Sequence, residues 1–219
     1  MMTVIWNHAA DIVLLTIFLF SASAAQEEEE EKHEWAEIEF VDLTTIKDYI
    51  LFKTSMIEKN LGGLSDFRLP DTAGSYISFY EFLRDEEGNK KKIVMLTFLK
   101  SSCKDSKYQA PALVEAFNRF NSAGFDILAV FEYSQKIEVE DFMWTYGIPF
   151  KVVMGTTNSD DEDIRFINYH YRLRRSLGDD RKWGTPLHFF IVNGDLKRVW
   201  YARGELKLEQ IARFIESKL

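Results

Sequence analysis

Ile93-Val94-Met95-Leu96-Thr97-Phe98 is a nearly continuous apolar run, and Lys100-Ser101-Ser102 leads from it to Cys103, the only cysteine of the 219-residue chain. A run of this kind reads as a central strand covered on both faces. Beyond Cys103, the residues Ala110, Leu113, Val114, Phe117 and Phe120 recur at helical spacing, and Gly124 stops the element. The cysteine therefore falls between a strand end and a helix start. Backbone N–H groups and the positive helix end point at a sulfur placed there, which favours its thiolate. Lys100, Lys104 and Lys107 add positive charge, and Asp105 opposes them. The thiolate is the nucleophile of disulfide exchange, so a redox role competes with that of a small, inert core residue. With one cysteine the chain forms no internal disulfide, and any disulfide joins Cys103 to another molecule.

Strands and helices alternate downstream. Ile127 to Phe131 reads as the next buried strand, and Glu138 to Tyr146 as a short helix ended by Gly147. Ile148-Pro149 leads into a strand over Phe150 to Met154. A polar loop, Thr156 to Asp163, precedes a basic, aromatic helix over Ile164 to Leu177. Leu187 to Val192 is a strand, and Asn193-Gly194 supplies two positions that tolerate positive φ, a hairpin signal before Leu196 to Tyr201. A final helix puts Leu208, Ile211, Ile215 and Leu219 on one stripe. The order fits a mixed sheet with helices on both faces.

Upstream, Asp66-Phe67-Arg68-Leu69-Pro70 is a short segment that Pro70 confines to a strand end, and Tyr76-Ile77-Ser78-Phe79 alternates. A helix is expected over Thr44 to Asn60, with Ile46, Tyr49, Ile50 and Ile57 on one face and Gly62-Gly63 as its stop. Glu27 to Glu31 is an acidic tether. Ile12 to Phe20 is apolar and runs into Ser21-Ala22-Ser23-Ala24-Ala25, as in an export signal, although Met1 to Asp11 holds no Lys or Arg. The division expected is a signal over 1–25, with an uncleaved membrane anchor as the alternative, a tether and helical extension over 26–63, and a folded domain over 64–219.

A formal charge of -8 argues against nucleic acid as a partner, since phosphate contacts need a basic surface. No metal or other cofactor is indicated. His33 and His170 have no second histidine at ligand spacing, and Asp160 to Asp163 lack the glycine and glutamate of a calcium loop. His188 is expected as a satisfied strand histidine. Arg172, Arg174, Arg175, Arg181 and Lys182 are expected on an exposed helix face, with a peptide- or acid-binding patch as the alternative.

Phe98-Leu99-Lys100-Ser101-Ser102-Cys103-Lys104-Asp105-Ser106, with Pro111 ahead, resembles the active-site stretch of TlpA/ResA-type thioredoxin-like proteins of the redoxin (AhpC/TSA) superfamily. Asp66 to Asp71 with Gly74 and Ile77 resembles that family's opening hairpin. Gly184-Thr185-Pro186, then Phe189-Phe190-Ile191 and Asn193-Gly194, resembles its cis-proline strand and turn. The resemblance spans Leu64 to Leu219. It implies an α/β thioredoxin-like fold, a mixed central sheet flanked by helices with an N-terminal hairpin. It also implies a cis Thr185-Pro186 peptide facing Cys103, a Thr185 backbone that pairs with bound peptide, and protein thiols or disulfides as partners.

Three positions depart from the family. Ser106 replaces the resolving cysteine, Ser102 the tryptophan and Gln109 the glutamate. A monothiol still forms a mixed disulfide, with Ser106 expected to hydrogen-bond the thiolate, but release then needs an external reducing thiol. The rival expectation is a thioredoxin fold used for binding or chaperoning without covalent chemistry. A peroxidase needs a Pro-x-x-x-Thr/Ser-x-x-Cys approach, and Leu96 and Lys100 occupy those places.

Overall fold

The computed structural model describes residues 34–52, 55–157 and 168–219. The signal and acidic tether expected over 1–31 lie outside the described residues.

Strand β6 (Ile93–Leu99) is buried at every position because it has a neighbour on each edge and a core on each face. It runs parallel to β7 (Phe125–Phe131) and antiparallel to β9 (Leu187–Val192). The six-stranded sheet continues outward through β8 (Lys151–Met154) on one side, and through β10 (Arg198–Arg203) and β1 (Glu39–Asp42) on the other, in the order β1-β10-β9-β6-β7-β8. Between β9 and β10, Asn193 and Gly194 take φ of 51° and 66°, so the turn has the positive-φ geometry its sequence signalled. A separate pair, β4 (Arg68–Pro70) and β5 (Tyr76–Ser78), forms the hairpin that precedes helix α1 (Phe79–Phe82), whose N-terminus Ser78 caps through its hydroxyl.

Period-two alternation splits the strands between two cores. Ile127, Ala129 and Phe131 face a cluster that includes Leu113 and Ala116 of α2 (Lys104–Phe120), Val139 and Phe142 of α3 (Lys136–Tyr146), and Ile211 and Ile215 of α5 (Leu208–Glu216). Leu128 and Val130 face a second cluster with Leu43, Leu64, Phe79 and Leu173, the last from α4 (Tyr169–Ser176). Helices therefore cover both faces, and the mixed, helix-flanked sheet is the one expected.

The helix expected over Thr44 to Asn60 is corrected. Lys47–Phe52 and Ser55–Asn60 are two antiparallel strands, β2 and β3, with Ile50 opposite Ile57 and Leu51 opposite Met56. Ile50 and Ile57 lie seven apart, a spacing two helical turns satisfy. A hairpin folded midway between them satisfies it equally, and the β-branched and aromatic content of the segment favours strands. The stretch read as tether also contributes β1, whose Phe40 pairs with Trp200 across the ladder. Charge on either side of Phe40-Val41 masks a strand of only four residues. Helix α4 begins later than expected, at Tyr169, and positions 158–167 lie outside the described residues.

Candidate functional site

Cys103 is the N-cap of α2, in extended conformation at φ -77° and ψ 126°, and is partly exposed. Its amide donates to Lys100 O and its carbonyl accepts from Lys107 N, closing the turn from β6 into α2. Sγ lies 3.6 Å from the Thr185 carbonyl oxygen. The Thr185–Pro186 peptide is cis, and both residues are buried at the head of β9. Cys103, Thr185 and Pro186, distant in sequence, thus meet at one end of the central strands β6 and β9. The carbonyl accepts from a thiol and offers nothing to a thiolate, whose donors must come from the backbone at the start of α2.

Ser106 is fully buried, and its Oγ accepts from Lys100 N at 3.1 Å. The hydroxyl's recorded partner is therefore the turn that carries Cys103, while the thiol's is Thr185. Gln109 is also buried; its Oε1 accepts from Leu206 N at 2.6 Å and its Nε2 donates to Leu206 O at 3.3 Å. The amide meets both demands, whereas an ionised carboxylate has no hydrogen to give Leu206 O. On the other flank, Ser101 N donates to Ser134 Oγ and Ser101 Oγ to Glu138 Oε2. Of the three lysines near the cysteine, Lys100 sits 3.7 Å from the centre of the Trp183 ring and Lys104 5.6 Å from that of Tyr108. Trp183 belongs to the cis-proline loop, so an indole reaches this groove although position 102 is serine.

The loop before Pro186 rests on α4. Arg174 is 1% exposed. It donates to the carbonyls of Asp179, Arg181 and Lys182, and its guanidinium Nη1 stands 3.8 Å from Asp179 Oδ1. Asp179 in turn takes two side-chain hydrogen bonds from Arg181, at 2.9 and 2.7 Å. His170 Nε2 lies 3.1 Å from Gly184 O, and burial lowers this histidine to about 3, leaving it neutral. A carbonyl only accepts, so Nε2 carries the proton. Gly184 has φ 60°, and a Cβ there would stand 2.4 Å from Arg174 Cδ. The expectation of an exposed face for Arg174 is thus corrected: it is the internal support of the loop. Its partners are carbonyls of the short Gly-Asp-Asp-Arg-Lys-Trp-Gly stretch, whose bends leave them without strand or helix donors. His188 is a buried strand histidine with Nδ1 2.8 Å from Thr97 Oγ1, but among the described residues its buried Nε2 meets no hydrogen-bond partner, so it is only half satisfied.

Residues 63–192, more than half of the chain, match the AhpC/TSA family. The chain belongs to that family. An AhpC/TSA member of this architecture has curated and structural relatives among disulfide oxidoreductases. It is 34% identical over 91 residues to the thiol-disulfide oxidoreductase ResA of Bacillus subtilis (strain 168), a match that covers 42% of this chain and 47% of ResA. The chain thus spans about half the length of that curated relative. The thioredoxin domain of a thiol-disulfide oxidoreductase from Bacteroides vulgatus superposes with a TM-score of 0.52 at 15% identity, covering 71% of this chain and 94% of that one. A thioredoxin-family thiol:disulfide interchange protein from Chlorobium tepidum TLS gives 0.53 at 20% identity, with 71% and 94% covered. These likenesses establish the thioredoxin-like fold.

Proposed function

We propose that this AhpC/TSA member is an exported monothiol that exchanges disulfides through Cys103. The observation that carries the reading is the meeting of a partly exposed Cys103, at the first turn of α2, with the Thr185 carbonyl beside cis-Pro186. In the reaction, the Cys103 thiolate attacks a partner disulfide R–S–S–R′. The Cys103–S–S–R bond forms, the R–S–S–R′ bond breaks, and R′–S⁻ leaves with the electron pair. Ser106 has no sulfur to attack this mixed disulfide. An external thiol, deprotonated, breaks it instead, regenerating the Cys103 thiolate and carrying R away as a new disulfide. Ser106 acts in this scheme by holding the Lys100–Cys103 turn, and Thr185 and Pro186 shape the groove for the partner.

Export rests on the apolar run Ile12 to Phe20 and the small residues that follow it. Among the described residues no helix is long and apolar enough to cross a membrane. A second reading, binding without covalent chemistry, draws support from Ser106 and Gln109, both committed to backbone hydrogen bonds. A peroxidase reading has no such support, because Leu96 is buried in β6 and the Lys100 side chain lies on Trp183.

Ser106→Cys separates the first two readings. It supplies a resolving thiol one helical turn from Cys103, and insulin reduction with a thiol donor should rise by about tenfold over wild type. Unchanged insulin reduction in the folded variant would favour the binding module.

A further inference from the structure

The face of the sheet opposite α2 holds a cavity of about 310 Å³. Its walls are Phe67, Leu69, Phe98 and the ring of Tyr169, so the space is mainly apolar. At its floor lies Glu132, just beyond β7 and 3% exposed. Glu132 Oε2 accepts from Thr156 N at 2.9 Å and from Asn168 Nδ2 at 2.8 Å. Both hydrogen bonds fall on one oxygen; among the described residues no donor reaches Oε1. The carboxyl lies flat against Gly155, where a Cβ would come within 2.6 Å of Cδ and 2.7 Å of each oxygen. Glycine at 155 thus leaves the room that the carboxyl fills.

A buried carboxylate held by two neutral donors is costly, and burial pushes Glu132 up to about 7. Among the described residues, the packed elements bring it no compensating charge. From α4 come His170, neutral and stacked on Phe98 at 4.8 Å, and Arg174, committed to Asp179 and the loop carbonyls. Asp66, next to Phe67, turns to Tyr80 N and Ser78 Oγ. Tyr169 accepts from Ser65 N through its hydroxyl, and the stretch after β8 brings Gly155 and Thr156, neither charged. An apolar chamber of ligand size with one uncompensated acid is complementary to a small molecule with an apolar body and one cationic donor.

We propose that this cavity is a binding site for a small organic amine, its ammonium donating to Glu132 Oε1 and its apolar body lying among Phe67, Leu69, Phe98 and Tyr169. The site stands apart from the groove at Cys103 and does not depend on the chemistry proposed there.

Phenethylamine is a suitable probe, with 2-phenylethanol as its uncharged counterpart, titrated calorimetrically into the full chain. Saturable binding of phenethylammonium is expected at pH 8. It should weaken about tenfold at pH 6, where Glu132 holds a proton and the amine stays charged. Glu132→Gln should weaken it at least tenfold, while 2-phenylethanol binds weakly and equally to both proteins. Leu69→Phe, which fills the chamber and leaves the acid in place, should abolish binding with the melting transition retained; it serves as the test if Glu132→Gln does not fold. The proposal is overturned if folded wild type shows no saturable binding of phenethylammonium, or if Glu132→Gln or Leu69→Phe binds it as wild type does. Equal affinity for 2-phenylethanol would overturn it as well.

Discussion

Ser106, Gln109 and Glu132 are buried polar side chains, each bonded to backbone groups around it. Two of them stand where related reductases carry a cysteine and a glutamate, and each is matched to the backbone it meets: a hydroxyl for the Lys100 amide, an amide for both polar groups of Leu206. Glu132 differs, because its surroundings favour its neutral form. Its value is raised from 4.5 to about 7 by burial, against the lowering effects of the Thr156 and Asn168 hydrogen bonds. The folded chain therefore holds this proton more tightly than the unfolded one. The stability Glu132 contributes is fully present below its unfolded value and is lost as pH rises through 7. At 1.36 kcal/mol for each pKa unit, wild type should lose up to about 3 kcal/mol relative to Glu132→Gln between pH 5 and pH 8. Urea midpoints of both proteins at the two pH values check this, and parallel pH profiles would contradict it.

At the scale of elements, α4 and the loop it supports position the cis-proline end of the groove. Arg174 connects them, with its donors on three loop carbonyls and its charge beside Asp179, itself 3% exposed. Replacing Arg174 by Leu strips those carbonyls and leaves Asp179 with Arg181 alone, a loss on the order of 3–5 kcal/mol for a broken buried pair. A correspondingly lower unfolding midpoint is expected, together with faster alkylation of Cys103 as the Thr185 carbonyl moves away. A midpoint within experimental error of wild type would show that the loop holds itself. Elements of this kind were the least legible in the sequence. β6, α2, β9 and the Asn193-Gly194 turn were readable because each announces itself locally, by an apolar run, a helical stripe or a pair of turn residues. The β2–β3 hairpin was not, since Ile50 and Ile57 satisfy a helical period and a cross-strand register alike. Nor was the burial of Arg174, because its partners are loop carbonyls that no residue pattern displays. Cys103, Thr185 and Pro186 were legible as a group only through the family resemblance, and their 3.6 Å contact is a product of the sheet order.

For the molecule as a whole, a central mixed sheet carries two distinct places for chemistry. At the end of its central strands, α2 and the cis-proline loop converge on a single sulfur; on the face away from α2, an apolar chamber surrounds a single acid. Membership of the AhpC/TSA family fits the first, where the chain has a single cysteine. A dithiol reductase returns its partner by internal attack. In the reaction proposed for this chain, the partner stays bound until another thiol arrives. The most direct measurement is intact-mass spectrometry of the reduced protein after exposure to a symmetric peptide disulfide, in wild type and in Cys103→Ser. Wild type should gain the mass of one peptide arm, keep it until a small thiol is added, and then return to its starting mass, while Cys103→Ser gains nothing. A wild-type chain that takes up no peptide, or one that discharges it with no thiol added, would contradict the account.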